Sequence, residues 1–135
     1  MGLKIGDTAT FSKTLTESDV YQFAGICGDF NPLHVDEEKA QKSRFGRRIC
    51  HGMLVASLIS TVIGTKLPGD GAVYLSQELK FVKPVYFNDT VEAEVKILEL
   101  PGNGIVILST IVRNQNKEEV IVGKAKVLYR RQPDV

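Results

Sequence analysis

The stretch Ile49–Gly64, ICHGMLVASLISTVIG, restricts the fold of this chain more than any other. Apolar side chains cover almost its whole circumference, interrupted only by His51 and the small hydroxyls of Ser57, Ser60 and Thr61. A helix with that pattern has no polar face to give to water, so other structure must wrap it. It does not read as a membrane span. The apolar run reaches Leu67, but it also carries Thr65 and Lys66 and stops at Pro68. A bilayer-crossing helix needs about 20 predominantly apolar residues. This is a core helix in search of a cover.

The second half of the chain supplies one. Gln77, Leu79 and Phe81 alternate with Ser76, Glu78 and Lys80, and Val91, Ala93, Val95 and Ile97 alternate with Glu92, Glu94 and Lys96. Residues 104–112 (GIVILSTIV) are β-branched and apolar, and Ile121, Ala125, Val127 and Tyr129 alternate with Val122, Lys124, Lys126 and Leu128. Period-two patterning of this kind predicts half-buried strands. PGDG (68–71), ND (88–89), PGNG (101–104) and NQN (114–116) mark the turns between them. With a loosely alternating first strand at 8–15, the expectation is an α+β domain whose antiparallel sheet curls around the helix. At 135 residues with no internal repeat or linker, residues 1–135 read as a single domain. So few layers leave a sheet face or edge that needs a partner subunit.

Between the first strand and the core helix lies the chemistry. Thr16 opens TESD, an N-cap with an acid three residues on. Val20, Phe23, Ala24 and Cys27 follow on one helical face, and Gly28 is placed to end it. Then comes GDFNPLHVD, where Asp29, Asn31, Pro32 and His34 fall within six positions. The residue before a proline is pushed out of the helical region, so DFNP reads as loop. Asp36 is placed to cap a short charged helix, EEKAQKS, closing near Gly46. Two readings of this stretch stand together. Asp and Asn are common in turns because they bond their own backbone. A carboxylate and an imidazole converging across a tight bend also form an acid–base pair active near neutral pH.

The start of the core helix, CHGM (50–53), offers a second element. A Gly52 N–H in the first helical turn is an unpaired donor aided by the helix dipole, and without a Cβ the backbone can approach a ligand closely. A carbonyl becoming an enolate would be stabilised there. The alternative is that Gly52 packs against a strand and His51 is a satisfied structural histidine, and for His51 that bland reading is preferred. Ser57 and Ser60 most simply bond back to their own helix.

Bulk charge narrows the remaining classes. A net charge of +1 gives no support to nucleic-acid or anionic-membrane binding. Cys27 and Cys50 lie in apolar segments without metal-ligand spacing, so both are expected to be buried, reduced thiols. MGLKIGDT lacks a secretory core and QPDV is not a peroxisomal address, which leaves a cytoplasmic expectation. No phosphate loop, nucleophile elbow or metal constellation is present.

The stretch FAGICGDFNPLHVDEEKA (Phe23–Ala40) resembles the signature of the MaoC-like (R)-specific enoyl-CoA hydratases, also called hydratase 2, a hot-dog-fold family. The likeness runs on through FGRRICHGMLVASLIS and LSQELKF and covers nearly the whole chain. It implies a long central helix wrapped by a five- or six-stranded antiparallel sheet, with two protomers joined sheet edge to sheet edge, or higher assemblies of such dimers. It implies reversible addition of water to trans-2-enoyl-CoA, giving (R)-3-hydroxyacyl-CoA without a cofactor. Carried over residue by residue, Asp29 and His34 would be catalytic and Asn31 would orient the turn. Gly52 would donate to the thioester carbonyl, and Ser60 would support the pair. Ile63 is not part of that carry-over; its position near the end of the helix alone places it at the expected depth of an acyl pocket of short to medium length.

Three other functions use the same parts. A dehydratase of acyl-carrier-protein thioesters differs only in what carries the acyl group. Arg44, Arg47, Arg48, Lys66, Lys80 and Lys83 are available to a CoA phosphate or an acidic carrier, though each singly reads as a solvated charge. A hot-dog thioesterase would hydrolyse instead, and an acyl-CoA-binding module would do neither.

Overall fold

The computed structural model describes residues 2–130, so the QPDV end lies outside the described residues. After strand β1 (Thr8–Thr14), Thr16 caps helix α1 (Glu17–Cys27). Thr16 Oγ1 accepts from the Asp19 N–H at 3.2 Å, and the Asp19 carboxylate accepts from the Thr16 N–H at 2.9 Å. Gly28 ends the helix at φ 80°, a left-handed conformation that suits glycine. Two short helices, α2 (Pro32–Val35) and α3 (Glu37–Gln41), lead to the core helix α4 (Gly52–Thr65). Strands β2 (Val73–Phe81), β3 (Thr90–Gly102), β4 (Ile105–Arg113) and β5 (Glu119–Leu128) complete the described chain.

The five strands form one antiparallel sheet in the order β1-β3-β4-β5-β2, the hot-dog arrangement. Its register lines up one continuous row, Phe11–Ala93–Val112–Ile121–Phe81, across the whole width. Val91, Ala93, Val95 and Ile97 are fully buried, as their alternation predicted. Against this face α4 buries Val55, Ala56, Leu58, Ile59, Val62 and Ile63. Each larger side chain contributes about 1.5–3 kcal/mol by leaving water.

Four expectations need correction. The core helix is not wrapped all round: Met53, Ser57, Ser60 and Gly64, at helical spacing, form an exposed stripe. A single sheet has one concave face, and it covers one side of a helix. Cys27 is exposed at the end of α1, while Cys50 is buried as expected, and burial pushes its thiol up to about 12. The loop ends at Asn31, whose ψ of 130° obeys the proline rule, and PLHV then forms a helical turn with Pro32 at its start. The charged helix is shorter than EEKAQKS, ending at Gln41 before turns that lead to Gly46. Among the described residues, no helix is long and apolar enough to cross a membrane.

Candidate active site

The GDFNPLH turn is built from its own side chains. Asp29 Oδ1 accepts from the Asn31 N–H at 3.1 Å, and Asn31 Oδ1 accepts from the Leu33 N–H at 3.1 Å. The first bond tightens the bend and the second caps α2. The bonds that make the turn therefore also bring Asp29 close to His34. His34, on the single turn of α2, is 8% exposed, while Asp29 remains exposed in the single chain.

A second segment locks this turn in place. The Ile49 N–H donates to Leu33 O at 3.0 Å, and His34 Nδ1 lies 2.7 Å from Ile49 O. A carbonyl only accepts, so the His34 proton sits on Nδ1 and Nε2 keeps its lone pair. Burial holds the His34 imidazole below its ordinary value, and the nearby His51 ring pushes the same way. The Ile49 carbonyl and the Asp29 carboxylate oppose that shift. The neutral form, the one able to accept a proton, is favoured.

His51 is the residue that the pattern of the sequence undervalued. Its Nε2–H donates to the main-chain carbonyl of Asp29 at 2.8 Å. Its ring stacks on His34, with centroids 3.9 Å apart and planes 26° apart, and meets Phe23 edge-on at 5.0 Å. Nδ1 is buried without a partner among the described residues. Asp29, His34 and His51 each place a ligand-type atom within 4.8 Å of the others. The in-plane lone pairs of two stacked rings lie in separate, nearly parallel planes. The missed signal was that both histidines of the chain border the two suspected elements.

Gly52 is the first residue of α4, and its N–H finds no acceptor among the described residues. It also faces Phe81: a Cβ at this position would lie 2.7 Å from the ring. The packing reading of Gly52 holds, and a free donor at its N–H is compatible with it. Gly52, His34, Met53, Phe81, Val85 and Ile121 help line a cleft of about 460 Å³. Arg44 and Lys83 belong to the same lining.

The remaining expected site residues lie elsewhere. Ser60 is exposed on the open stripe of α4 and makes no hydrogen bond to Asp29 or His34. Ile63 is 1% exposed in the core and does not line the cleft. Of the six basic residues, Arg48 is held by Glu17 and Glu37, Lys83 pairs with Glu118, and Lys66 donates to Thr10 O. Arg47 lies over the Tyr86 ring at 4.0 Å and Arg44 over Phe45 at 4.9 Å, neither paired with a carboxylate among the described residues.

Comparison with known proteins places this geometry in context. Residues 3–128 match the family profile described as MaoC like domain. An (R)-specific enoyl-CoA hydratase of Rhodospirillum rubrum is 47% identical over 127 residues, covering 93% of this chain and 88% of that protein. The solved structure of an (R)-hydratase from A. caviae involved in PHA biosynthesis superposes with a TM-score of 0.92 at 40% identity, covering 95% of this chain and 98% of that one. A mitochondrial 3-hydroxyacyl-[acyl-carrier-protein] dehydratase of Arabidopsis thaliana is 38% identical over 130 residues, covering 93% of this chain and 77% of that protein.

Proposed function

The chain belongs to the MaoC-like domain family, and from that premise we propose that it adds water reversibly to trans-2-enoyl-CoA, giving (R)-3-hydroxyacyl-CoA. It is a hydro-lyase that works as one soluble cytoplasmic domain and needs no cofactor. The observation that carries this reading is the convergence of Asp29 and His34 beside a cleft that also contains the free N–H of Gly52.

The chemistry follows from those groups. The thioester carbonyl accepts from Gly52 N–H, which draws electron density away from the double bond and makes Cβ electrophilic. Losing one such donor typically costs about 10²–10³ in rate. One water is held between the free Asp29 oxygen and His34 Nε2, the two acceptors not consumed by the turn. As its oxygen bonds Cβ, one of the pair takes its proton, and a proton is delivered to Cα from the pair, so water is added in full. Asn31 keeps the turn in shape. The cleft volume of about 460 Å³ supports acyl groups of short to medium length. Arg44 and Lys83 in its lining support a phosphate-bearing carrier.

The finer assignments rest on the family likeness. Two protomers join through the β2 edge, which exposes Val73, Leu75 and Phe81. Ser60, on the open stripe of α4, supports the Asp29 turn once that stripe is covered in the assembly; Ile63, assigned from its position alone, backs the acyl pocket from the core.

A stereospecific coupled assay with crotonyl-CoA and hexenoyl-CoA tests reaction, hand and chain length together. Asp29→Asn should lower hydration by about 10²–10⁴ while substrate binding survives. Unchanged activity in that variant overturns the assignment, and thiol release with the conjugated double bond intact points to a thioesterase. The Arabidopsis relative favours a second reading, dehydration of acyl-carrier-protein thioesters. Rates on one acyl group linked to CoA and to carrier protein separate the two.

A further inference from the structure

Three functional elements meet at one side chain that belongs to none of them. His51 holds the main chain of Asp29 through its Nε2–H at 2.8 Å, and its ring is the surface on which the His34 imidazole lies. It is also the N-cap residue of α4, covalently joined to Gly52, and its carbonyl accepts the Leu54 and Val55 N–H groups at 3.1 and 3.2 Å. At 2% exposure its ring has little freedom, and Phe23 closes its other side.

Each contact removes one degree of freedom that the chemistry depends on. Asp29 is exposed, and the local bonds of the turn hold it only from the Asn31 side. The bond from His51 to the Asp29 carbonyl holds its main chain from outside the turn. The Ile49 carbonyl anchors one corner of the His34 ring but leaves its plane free to rotate about that bond, and the stack sets the plane. The peptide link from His51 to Gly52 then ties both to the helix N-terminus.

We propose that His51 is a positioning residue that aligns the Asp29 turn, the His34 ring and the Gly52 donor as one unit. This rests on the reading of those three groups given above. It also accounts for Nδ1, which has no partner among the described residues: the ring is oriented by the demands of Nε2 and the stack.

Two substitutions separate the two contacts. His51→Phe keeps an aromatic ring and loses the donor, whereas His51→Gln keeps an N–H near the Nε2 position and loses the ring. With crotonyl-CoA, His51→Phe should lower kcat about 10²-fold, the typical result of misplacing reacting groups by about 1 Å. KM should stay within about threefold, because ground-state contacts are untouched. His51→Gln should recover at least about tenfold of that loss, since the conservative donor is restored. His51→Phe within about threefold of wild type, or His51→Gln no better than His51→Phe, overturns the inference.

Nitrogen-resolved NMR of His34 gives a readout that a merely structural role would not move, and it decides the matter if His51→Phe does not fold. The titratable and charged groups around His34 are Asp29 and His51, with Arg44 and Lys83 in the lining of the same cleft. Removing the His51 imidazole in His51→Gln should raise the His34 titration midpoint, and an unmoved midpoint overturns the inference. Failure of wild-type protein to hydrate crotonyl-CoA would instead remove the functional reading and this inference with it. Hydration by wild type with indifferent His51 variants removes only the inference.

Discussion

Edge strand β1 ends in exposed Ser12, Lys13 and Thr14, whereas edge strand β2 exposes Val73, Leu75 and Phe81. On β1 the side chains are occupied: Thr14 and Thr90 hydroxyls lie 2.7 Å apart, Ser12 donates to Glu92 at 3.3 Å, and Lys13 pairs with Asp19 at 3.3 Å. Hydroxyls and a lysine are how an edge is kept from pairing with another chain. On β2 a bulge at Leu75 turns Tyr74 and Gln77 to the same face, and Val82 follows Phe81 at 44% exposure. Phe81, Val82 and Lys83 then line the cleft. One edge is finished, and the other is open and continuous with the proposed site.

The largest expected effect tests the seam that holds the open edge. An added Cβ at Gly123 would lie 2.0 Å from the main-chain oxygen of Glu78. Backbone in a ladder cannot give way as a side chain can. Gly123→Ala should therefore destabilise by about 3 kcal/mol, at the upper end for overpacking. In calorimetry that is a fall of about 10 °C in Tm. A loss under about 0.5 kcal/mol would mean that β2 is not held tightly to β5.

Next comes Leu75→Lys, which places a charge on the apolar edge. Sedimentation equilibrium should show self-association weakened at least about tenfold, equivalent to ~1.4 kcal/mol. The matching change Ser12→Lys on β1 should leave it unmoved. Equal responses at both edges would break the comparison.

A smaller effect joins the open edge to the site. Because burial is the main cause of the low His34 value, Phe81→Ala, which opens the cleft, should move its titration midpoint up toward 6.5. The sign for stability follows from linkage. With the folded value below the unfolded one, the unfolded chain binds more protons at this group, so ΔG of unfolding rises with pH in that window. The contribution is complete above 6.5 and is lost as pH falls through the lower folded value. Tm measured from pH 7 downward should therefore fall less steeply in Phe81→Ala than in wild type. The smallest effect is Ser12→Ala on the finished edge, expected within about 0.5 kcal/mol by urea titration.

What could be read in advance divides along the same physical line. The capping of α1 by Thr16 and Asp19, the end at Gly28 and the alternation of Val91, Ala93, Val95 and Ile97 were legible because each rests on residues a few positions apart. The Asp29–Asn31–Leu33 chain of bonds is local in the same way. The grip of His51 on Asp29 spans 22 residues, and it left no periodicity behind. Arg48 looked like a free cation until the fold brought Glu17 and Glu37 to it. Ser60 was expected to support the Asp29–His34 pair, but the sheet covers only the other side of α4 and leaves it exposed.

By itself, then, the order of residues determined the elements, their buried faces and a turn able to carry an acid and a base, because those depend on short-range geometry and on periodic burial. The tertiary structure alone decided that Phe81, from the far edge of the sheet, lies against Gly52, and that one histidine steadies the other. Such contacts depend on strand order and register, which bring together groups that no local rule relates.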